Sequence, residues 1–134
     1  MTGCVLDTDV VIAALDRSDA HHREATSLIA TLTASETTLL LALMNYAETL
    51  VRPAREDRTL RIAVRAIEAM GIGLVAPTPS VARDAARLRG LGVSLADGFA
   101  LATARVHAAY VATFDQRVRR SLPTLGLGLP PGLP

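Results

Sequence analysis

The sequence has no lysine and no tryptophan, and aromatic residues make up only 3% of it. All 14 basic residues are therefore arginines, which excludes any mechanism that needs a catalytic lysine. The single cysteine, Cys4, cannot form an internal disulfide and is best explained as a small buried hydrophobic residue. A formal net charge of +1 does not by itself indicate a polyanionic partner.

Long hydrophobic runs are also missing. No apolar stretch reaches the length that crosses a bilayer, and the N-terminus lacks a basic region followed by a hydrophobic one. We therefore expect a cytoplasmic protein that does not contact membranes. With 134 residues, of which 50% are hydrophobic, the chain can bury an aliphatic core within a single domain spanning 1–134.

Short apolar runs alternate with amphipathic segments along the chain. The runs that predict strands are 4–6, 37–42, 73–76 and 110–114. The segments whose spacing predicts helices are 10–15, 21–32, 43–51, 55–70, 80–91 and 94–107. This alternation is typical of a three-layer α/β/α domain with a mostly parallel central sheet. In the Gly- and Pro-rich tail, 122–134, we expect at most one short edge strand, around 125–129, and a loose end.

Two acids, Asp7 and Asp9, follow the first predicted strand directly. Asp7 lies at or just beyond the carboxyl end of that strand, where open α/β sheets form ligand crevices. Taken alone, Asp9 is explained as the N-cap of the next helix and Asp7 as a turn residue. The alternative is a pair of carboxylates that holds a divalent cation, and the other acids decide between the two.

Four of the 13 acidic residues stand in or against apolar segments, and these are Asp7, Glu48, Asp97 and Asp115. A buried carboxylate is costly unless it is paired, hydrogen-bonded or bound to a metal. Ion pairs would be a purely structural explanation: Arg52 lies one helical turn after Glu48, and Arg105 lies two turns after Asp97. Clustered carboxylates without matching bases instead favour hard cations such as Mg²⁺ or Mn²⁺.

The chain resembles the PIN domain family and, within it, the VapC type, the ribonuclease toxins of bacterial toxin–antitoxin pairs. The segments that carry the resemblance are Leu6-Asp7-Thr8, Tyr46-Ala47-Glu48, Ser94-Leu95-Ala96-Asp97 and Thr113-Phe114-Asp115. The order and spacing of these segments fit the family over essentially the whole chain. The resemblance implies a PIN-like fold with an acidic catalytic pocket, formed by Asp7, Glu48, Asp97 and Asp115.

In such a pocket Asp7 would be the central metal ligand, with Asp97 and Asp115 beside it, while Glu48 would bind a second metal or position water. Thr8 and Thr113 would support the acids. Asp9 departs from the family pattern, because many relatives have Asn or Ser there. For Asp9 two roles stay open, an additional outer ligand or a helix cap.

The activity implied by the resemblance is that of an endoribonuclease dependent on Mg²⁺ or Mn²⁺. It would cut structured RNA, tRNA or ribosomal RNA, leave 5′-phosphate and 3′-hydroxyl ends, and inhibit translation and growth. The resemblance also implies a VapB-type antitoxin that contacts DNA, with an antitoxin arginine entering the acidic pocket. We expect a homodimer of the chain within a toxin–antitoxin hetero-oligomer.

RNA requires a basic surface for its approach. For Arg117, Arg119 and Arg120, which follow Asp115 closely, phosphate contact and ordinary solvation are equally open. Few aromatic residues are available for base stacking, which favours recognition of a folded RNA by shape and phosphates. The apolar residues at 25–32 and 39–51 either all enter the core or leave an excess that would form a groove for an amphipathic partner helix, a dimer contact or both.

Two other functions stay open at this stage. Asp7-Thr8-Asp9-Val10 after a strand also fits the nucleophile motif of haloacid-dehalogenase-type phosphatases, in which Asp7 would be phosphorylated and Asp9 would be the general acid. That family and receiver domains normally use a lysine, which this chain lacks. A non-catalytic binding module with the same fold is the second alternative, and the presence of all four acids argues against it.

Overall fold

The structure of the protein is a computed structural model that describes residues 3–134. Its strands are β1 (Gly3–Leu6), β2 (Thr38–Ala42), β3 (Ile72–Val75) and β4 (Tyr110–Ala112). They form one sheet in the order β3-β2-β1-β4, and all neighbouring strands are parallel. The α-helices within these residues are α1 (Thr8–Leu15), α2 (His22–Ala34), α3 (Leu43–Leu50), α4 (Asp57–Ala69), α5 (Pro79–Leu88), α6 (Leu95–His107) and α7 (Gln116–Ser121).

An apolar cluster lies on each face of the sheet, because successive side chains of a strand point to opposite faces. On β1, Cys4 and Leu6 join residues of α1, α2 and α4, whereas Val5 joins residues of α5, α6 and α7. The predicted three-layer α/β/α fold with a parallel sheet is therefore confirmed. Cys4 is fully buried, as expected, and burial raises the pKa of its thiol to about 12.

Two boundaries near the end of β4 differ from the prediction. β4 ends at Ala112 rather than at Phe114, because the next residues bond to side chains and not to a neighbouring strand. The short helix α7 was not predicted. It begins where Asp115 caps it by accepting hydrogen bonds from the amides of Arg117 and Val118, at 2.8 and 3.3 Å.

The prediction of an edge strand around 125–129 is wrong, since that stretch opens with a 3-10 turn, Pro123–Leu125. One hydrogen bond, from the Val111 amide to the Gly128 carbonyl at 3.0 Å, joins the tail to β4. The expected loose end is also corrected. Leu133 is 6% exposed and packs in the cluster with α1 and α2, so apolar burial fixes the tail.

The apolar residues at 25–32 enter the core, in which Ala25, Leu28 and Leu32 are buried. Of the segment 39–51, the strand half is buried as well, whereas Leu43, Met44 and Val51 on α3 stay exposed. Of these two segments, only the second leaves large apolar side chains exposed for a partner. Within residues 3–134, every helix is too short or too polar to cross a bilayer.

Candidate active site

An open pocket of about 420 Å³ lies at the carboxyl edge of the sheet. Its lining residues are Asp7, Thr8, Asp9, Ile12, Glu48, Gly92, Ser94, Asp97, Asp115 and Arg117. The parallel topology explains this convergence, because β1 and β4 end at the same edge and α3 and α6 begin beside it. The structure therefore brings all four acids of the predicted pocket together, along with Asp9. Their catalytic role stays a prediction.

Asp7 is the most enclosed of these acids, at 2% exposure. Leu6 pairs with Ala112 in the sheet, so that Asp7 and Thr113 follow side by side. The Thr113 hydroxyl donates to one oxygen of Asp7 at 2.7 Å, and the Thr8 amide donates to the other at 2.9 Å. Asp7 is thus the N-cap of α1, a position for which Asp9 was one of the candidates from the sequence.

Asp9 lies in the first turn of α1 and connects that helix to the loop after β4. The Phe114 amide donates to its Oδ2 at 3.0 Å, while Oδ1 is buried without a hydrogen-bond partner. Asp9 is therefore not a helix cap. Its unpartnered oxygen leaves the role of an additional ligand open.

The pKa values of the Asp7 and Asp9 carboxyl groups are both strongly raised. Burial first, and then the charge of Asp9, raise the pKa of Asp7 to about 7, although the Thr113 hydrogen bond lowers it. Burial also raises the pKa of Asp9 to about 6, with the Phe114 amide lowering it and the charge of Asp115 raising it. Burial is the main cause of both shifts, and the charges of the neighbouring carboxylates add to it.

Asp97 approaches the pocket from the start of α6. Its Oδ2 accepts from the Ser94 amide at 3.0 Å, and the Ser94 hydroxyl accepts from the Asp97 amide at 3.1 Å, which forms a capping box. The next residue, Gly98, lets α6 approach α5 closely, because a Cβ there would lie 2.7 Å from the Ala85 carbonyl oxygen. Asp97 is thereby held by its own helix start and is half-buried.

Glu48 differs from the expectation drawn from its apolar neighbours, since it is exposed. The inner face of α3 is formed instead by Asn45 and Thr49, which are both buried. Glu48 reaches the acidic pocket from the outer side of that helix and also lines the adjoining groove.

The ion pairs that would have explained the acids structurally do not form. Among residues 3–134, the one ion pair within 4.0 Å joins Arg105 to Asp84, at 3.4 Å. Neither Arg52 nor Arg105 therefore neutralises an acid of the pocket. Within residues 3–134, no carboxylate of the pocket therefore forms an ion pair.

Sequence reasoning missed Asn45, which is fully buried. Its Nδ2 donates to the Thr8 hydroxyl at 3.1 Å and to the Ala96 carbonyl at 3.2 Å, so it joins α3 to α1 and to the approach of α6. Its Oδ1 is buried without a partner. The sequence could have indicated it, because Asn45 is an amide side chain within an otherwise apolar run. Buried polar atoms in such a setting require specific hydrogen-bond partners.

The three arginines after Asp115 separate in the structure. Arg117 is exposed and lines the acidic pocket. Arg119 is committed elsewhere, because its guanidinium donates to the carbonyls of Thr113 at 2.9 Å and Pro134 at 2.6 Å. Arg120 lines a smaller neighbouring cavity together with Arg117. The structure thus favours Arg117 for phosphate contact and gives Arg119 a structural role.

Within residues 3–134, no three His, Cys, Asp or Glu side chains stand close enough to hold a metal ion as placed. The chemistry of the pocket nevertheless fits a hard divalent cation, which prefers carboxylate oxygens. Asp9, Asp97 and Asp115 are each oriented through one oxygen, and their second oxygen accepts no hydrogen bond from the described residues. A cation would have to draw these side chains inward.

In the phosphatase hypothesis Asp7 would act as the nucleophile. Each oxygen of its carboxylate accepts one hydrogen bond, and the side chain lines the pocket. The chain has no lysine to hold a phosphate group beside it, so the residues of this pocket fit a divalent cation better than a phosphorylated aspartate.

Comparison with known proteins agrees with this geometry. A family model described as PIN domain matches residues 4–121. A comparison with curated protein sequences finds no significant match. Among solved structures, VapC20 of Mycobacterium tuberculosis, described as a toxin that cleaves the sarcin-ricin loop, aligns with a TM-score of 0.72 and 17% identity over 89% of this chain and 95% of that one.

Two toxin–antitoxin complexes are similar as well. A complex from Klebsiella pneumoniae aligns with a TM-score of 0.70 and 20% identity, over 90% of this chain and 93% of that one. VapBC2 of Rickettsia felis, bound to a DNA fragment from its promoter, aligns with a TM-score of 0.69 and 15% identity, over 95% and 96%. At such identities these similarities concern the fold. Because the family model spans nearly the whole chain, the predicted membership is confirmed, and the protein belongs to the PIN domain family.

Proposed function

We propose that the chain is a divalent-metal-dependent endoribonuclease and the toxin of a toxin–antitoxin pair. The observation that carries this proposal is the convergence of the acids from β1, α3, α6 and the loop after β4 on one open pocket. The proposed substrate class is structured RNA, ribosomal RNA or tRNA, and the similarity to VapC20, described as a toxin that cleaves the sarcin-ricin loop, supports the ribosomal alternative. Cleavage of such RNA would inhibit translation and growth.

Mg²⁺ or Mn²⁺ is the cofactor that suits the donors of the pocket. Asp7, Asp97 and Asp115 would hold it, with Glu48 and the unpartnered oxygen of Asp9 next to them. When bound, such a cation supplies an activated water and offsets the charge that develops on the phosphate. Its positive charge would also stabilise the ionised forms of Asp7 and Asp9, whose pKa values are raised by burial first and by neighbouring carboxylates second.

Other residues of the pocket would orient Asp7, position the attacking water and bind phosphate. Thr113 and the Thr8 amide fix the orientation of Asp7, and Asn45 fixes the Thr8 hydroxyl. Glu48, the most exposed of the four predicted acids, is free to orient the attacking water. Arg117 places a positive charge on the wall of the pocket, where it can bind a phosphate of the RNA.

The proposed inhibitor is a VapB-type antitoxin. A groove of about 360 Å³, with Ile12, Leu15 and Thr49 in its wall, adjoins the acidic pocket and shares Ile12 and Glu48 with it. An amphipathic segment in this groove could place an arginine among the carboxylates. The complexes from Klebsiella and Rickettsia support such a partner, and the latter, bound to promoter DNA, supports DNA contact through the antitoxin.

A homodimer is proposed on the remaining apolar surface. Leu43 and Met44 on α3 and Leu95 on α6 are 38%, 39% and 46% exposed, and the two helices pack beside each other. Burial of such side chains is the main favourable term in protein association. A second copy of the chain would cover them.

The nuclease proposal is tested by incubating purified protein with total tRNA, ribosomal RNA and p-nitrophenyl phosphate, each with Mg²⁺, Mn²⁺ or EDTA. We expect cleavage of an RNA at discrete positions with either metal and none with EDTA. Hydrolysis of p-nitrophenyl phosphate with RNA left intact would contradict the proposal in favour of a phosphatase. Sequencing the cleaved ends identifies the RNA and the chemistry of the products.

The antitoxin proposal is tested by co-expression with the adjacent small gene, followed by purification and the same RNA assay. A stable complex without nuclease activity, whose activity returns after the partner is removed, is the expected result. A chain that is recovered alone as a monomer and does not arrest growth would contradict it.

A further inference from the structure

An aromatic stack that includes an exposed histidine ring involves the loop after β4, which contributes Asp115 to the acidic pocket. The rings of His21 and Phe114 lie with centroids 4.4 Å apart and planes 13° from parallel. Phe114 is half-buried and packs against the apolar cluster beneath α1 and α2. His21 is exposed. Because Phe114 covers one face of the imidazole, its exposed surface is the opposite face and the ring edge.

The position of this stack is fixed relative to the acids. Phe114 lies between Thr113, which binds Asp7, and Asp115, which lines the pocket. The Phe114 amide also donates to Asp9 at 3.0 Å. The ring that supports His21 is thus on the same loop as Asp115, one of the four candidate acids.

The turn before α2 does not need the His21 ring for its own structure. The His21 backbone amide donates to Asp19 at 2.8 Å, and the ring of His22 bonds to the Ala13 carbonyl at 2.7 Å. The side chain of His21 makes no capping hydrogen bond at the start of α2. These backbone and neighbour contacts hold the turn and leave the outer face of His21 available.

Exposed rings are rare in the part of the chain that the structure describes. Phe99 is buried, and Tyr46 and Tyr110 are half-buried against the core. Of the histidines, His22 is half-buried and His107 is exposed at the far end of α6, away from the pocket. His21 is therefore the one exposed ring that these residues present at the carboxyl edge of the sheet.

We propose that His21, backed by Phe114, is a stacking platform for one nucleobase of the RNA next to the cleaved phosphate. A ring already stacked on a second ring is held in a fixed plane, so a base can add to it with little loss of side-chain freedom. Base stacking on an aromatic side chain tolerates any base identity. The proposal rests on the proposed nuclease function and adds a nucleotide subsite to it, where composition had indicated little stacking.

The test uses a short RNA hairpin that contains the position cleaved by the wild-type protein, together with versions in which one nucleotide at a time is abasic. Steady-state cleavage is measured for wild type, His21→Ala, His21→Phe and, as a matched control, His107→Ala. We expect His21→Ala to raise KM by about 5- to 100-fold with kcat changed less than about threefold. His21→Phe should restore KM, and His107→Ala should leave it unchanged.

The abasic hairpins identify the base that stacks. One abasic position beside the cleaved bond should raise KM for wild type and add nothing further in His21→Ala, since both changes remove the same contact. Thermal unfolding of each variant reports separately whether the stack is needed for the fold. Equal KM values for wild type and His21→Ala would overturn the proposal, as would additive losses at every abasic position.

Two further outcomes distinguish a failure of the nucleobase subsite from a failure of the proposed nuclease function. If the wild-type protein cleaves RNA and His21→Ala weakens only the binding of the antitoxin, the stack belongs to the protein partner and the nucleobase subsite is wrong. If the wild-type protein cleaves no RNA, the nuclease function fails and the subsite fails with it. A loss of kcat and of thermal stability at unchanged KM would also overturn the proposal, because it would show a purely structural stack.

Discussion

The acidic pocket has two sides that are built differently. On the strand side, Asp7 and Asp9 bind to the loop after β4 through hydrogen bonds that join residues 106 and 105 positions apart in the chain. On the helix side, Asp97 is held by a capping box within its own helix start, and Glu48 is exposed. Long-range hydrogen bonds fix the strand side, whereas the helix side can adjust.

This difference indicates how a cation would be bound. The strand side concentrates buried charge, which raises the pKa values of Asp7 and Asp9. No three potential ligands among residues 3–134 stand ready for a metal ion. Asp7 and Asp9 on the strand side would hold a hard divalent cation through side chains fixed by hydrogen bonds, and Glu48 and Asp97 would add ligands from the helix side.

The largest effect is expected for Asp7→Asn, which removes the central carboxylate of the rigid side. Loss of metal-assisted charge stabilisation, worth several kcal/mol, should lower kcat for RNA cleavage by about 10³-fold or more. The fold should persist, because the Asn oxygen can accept from the Thr8 amide, its nitrogen can donate to the Thr113 hydroxyl oxygen, and the change removes a desolvated charge. Cleavage assays and thermal unfolding measure the two effects.

Glu48→Gln is the matched change on the adjustable side. Its side chain is exposed, so the free energy of unfolding should stay within about 0.5 kcal/mol of the wild-type value. The loss of cleavage should be smaller than for Asp7→Asn. An equal loss for both variants would show that the two sides contribute alike to catalysis, and RNA cleavage by Asp7→Asn at the wild-type rate would contradict the mechanism.

The second prediction concerns stability and pH in the metal-free protein. The pKa of Asp7 is raised to about 7 in the folded state, from 3.8. Between these values the folded protein keeps a proton that the unfolded chain has lost, so the free energy of unfolding should fall as the pH rises. A shift of this size corresponds to a loss of up to about 4 kcal/mol between pH 4 and pH 8.

Denaturant unfolding in EDTA at a series of pH values measures this loss. Mg²⁺ should restore stability more at pH 8 than at pH 5, because it replaces the proton as the partner of the carboxylates. Asp7→Asn should flatten the pH dependence. If the metal-free protein becomes more stable from pH 5 to pH 8, the pKa of Asp7 is not raised in the folded state.

The third prediction tests the hydroxyl that orients the strand side. Thr113→Val keeps the shape of the side chain but leaves one oxygen of buried Asp7 without its donor, at a cost of about 1–3 kcal/mol in stability. Loss of such a supporting contact should lower metal affinity or activity by about 10- to 100-fold. Denaturant unfolding and Mg²⁺-dependent cleavage give both values.

Thr103→Val is the matched control for this change. Thr103 is also buried, but its hydroxyl donates to the Phe99 carbonyl within α6, away from the acids. It should lose some stability and keep its Mg²⁺ dependence. If both variants lose activity in proportion to their stability, Thr113 supports the fold and has no specific role at the site.

The sequence predicted the strand side more accurately than the helix side, for a physical reason. A parallel sheet brings the residues after β1 and β4 to one edge in a register set by pairing, so Asp7 and Asp115 could be placed together from strand positions alone. Glu48 was misjudged, because apolar neighbours in a helix do not determine which face is buried. Burial of Asn45 rather than Glu48 is set by the packing of α3 against α1 and α6.

The other differences also came from tertiary contacts. The tail could not be assigned from its Gly and Pro content, because Leu133 becomes part of the core only once α1 and α2 are in place. The stack of His21 on Phe114 joins residues that are distant in the sequence, and no local pattern indicates it. Asp9 was identified as unusual, but its contact with the Phe114 amide requires the same long-range pairing.

The smallest effects are expected for substitutions of two arginines on α7. One arginine lies in the wall of the pocket, and the other bonds to the backbone behind that wall. Arg117 is exposed at the pocket, whereas Arg119 donates to the Thr113 and Pro134 carbonyls. Arg117→Gln should weaken RNA binding and reduce the slope of log K against log salt by about 1, with unchanged stability. Arg119→Gln should instead lower the free energy of unfolding by about 1–2 kcal/mol and leave the salt slope unchanged. Salt titrations of binding to a noncleaved hairpin, together with denaturant unfolding, separate the two effects. An equally reduced salt slope in both variants would show that Arg119 also contacts phosphate and that its guanidinium leaves the Thr113 carbonyl when RNA binds, whereas a wild-type slope in Arg117→Gln would show that Arg117 makes no phosphate contact.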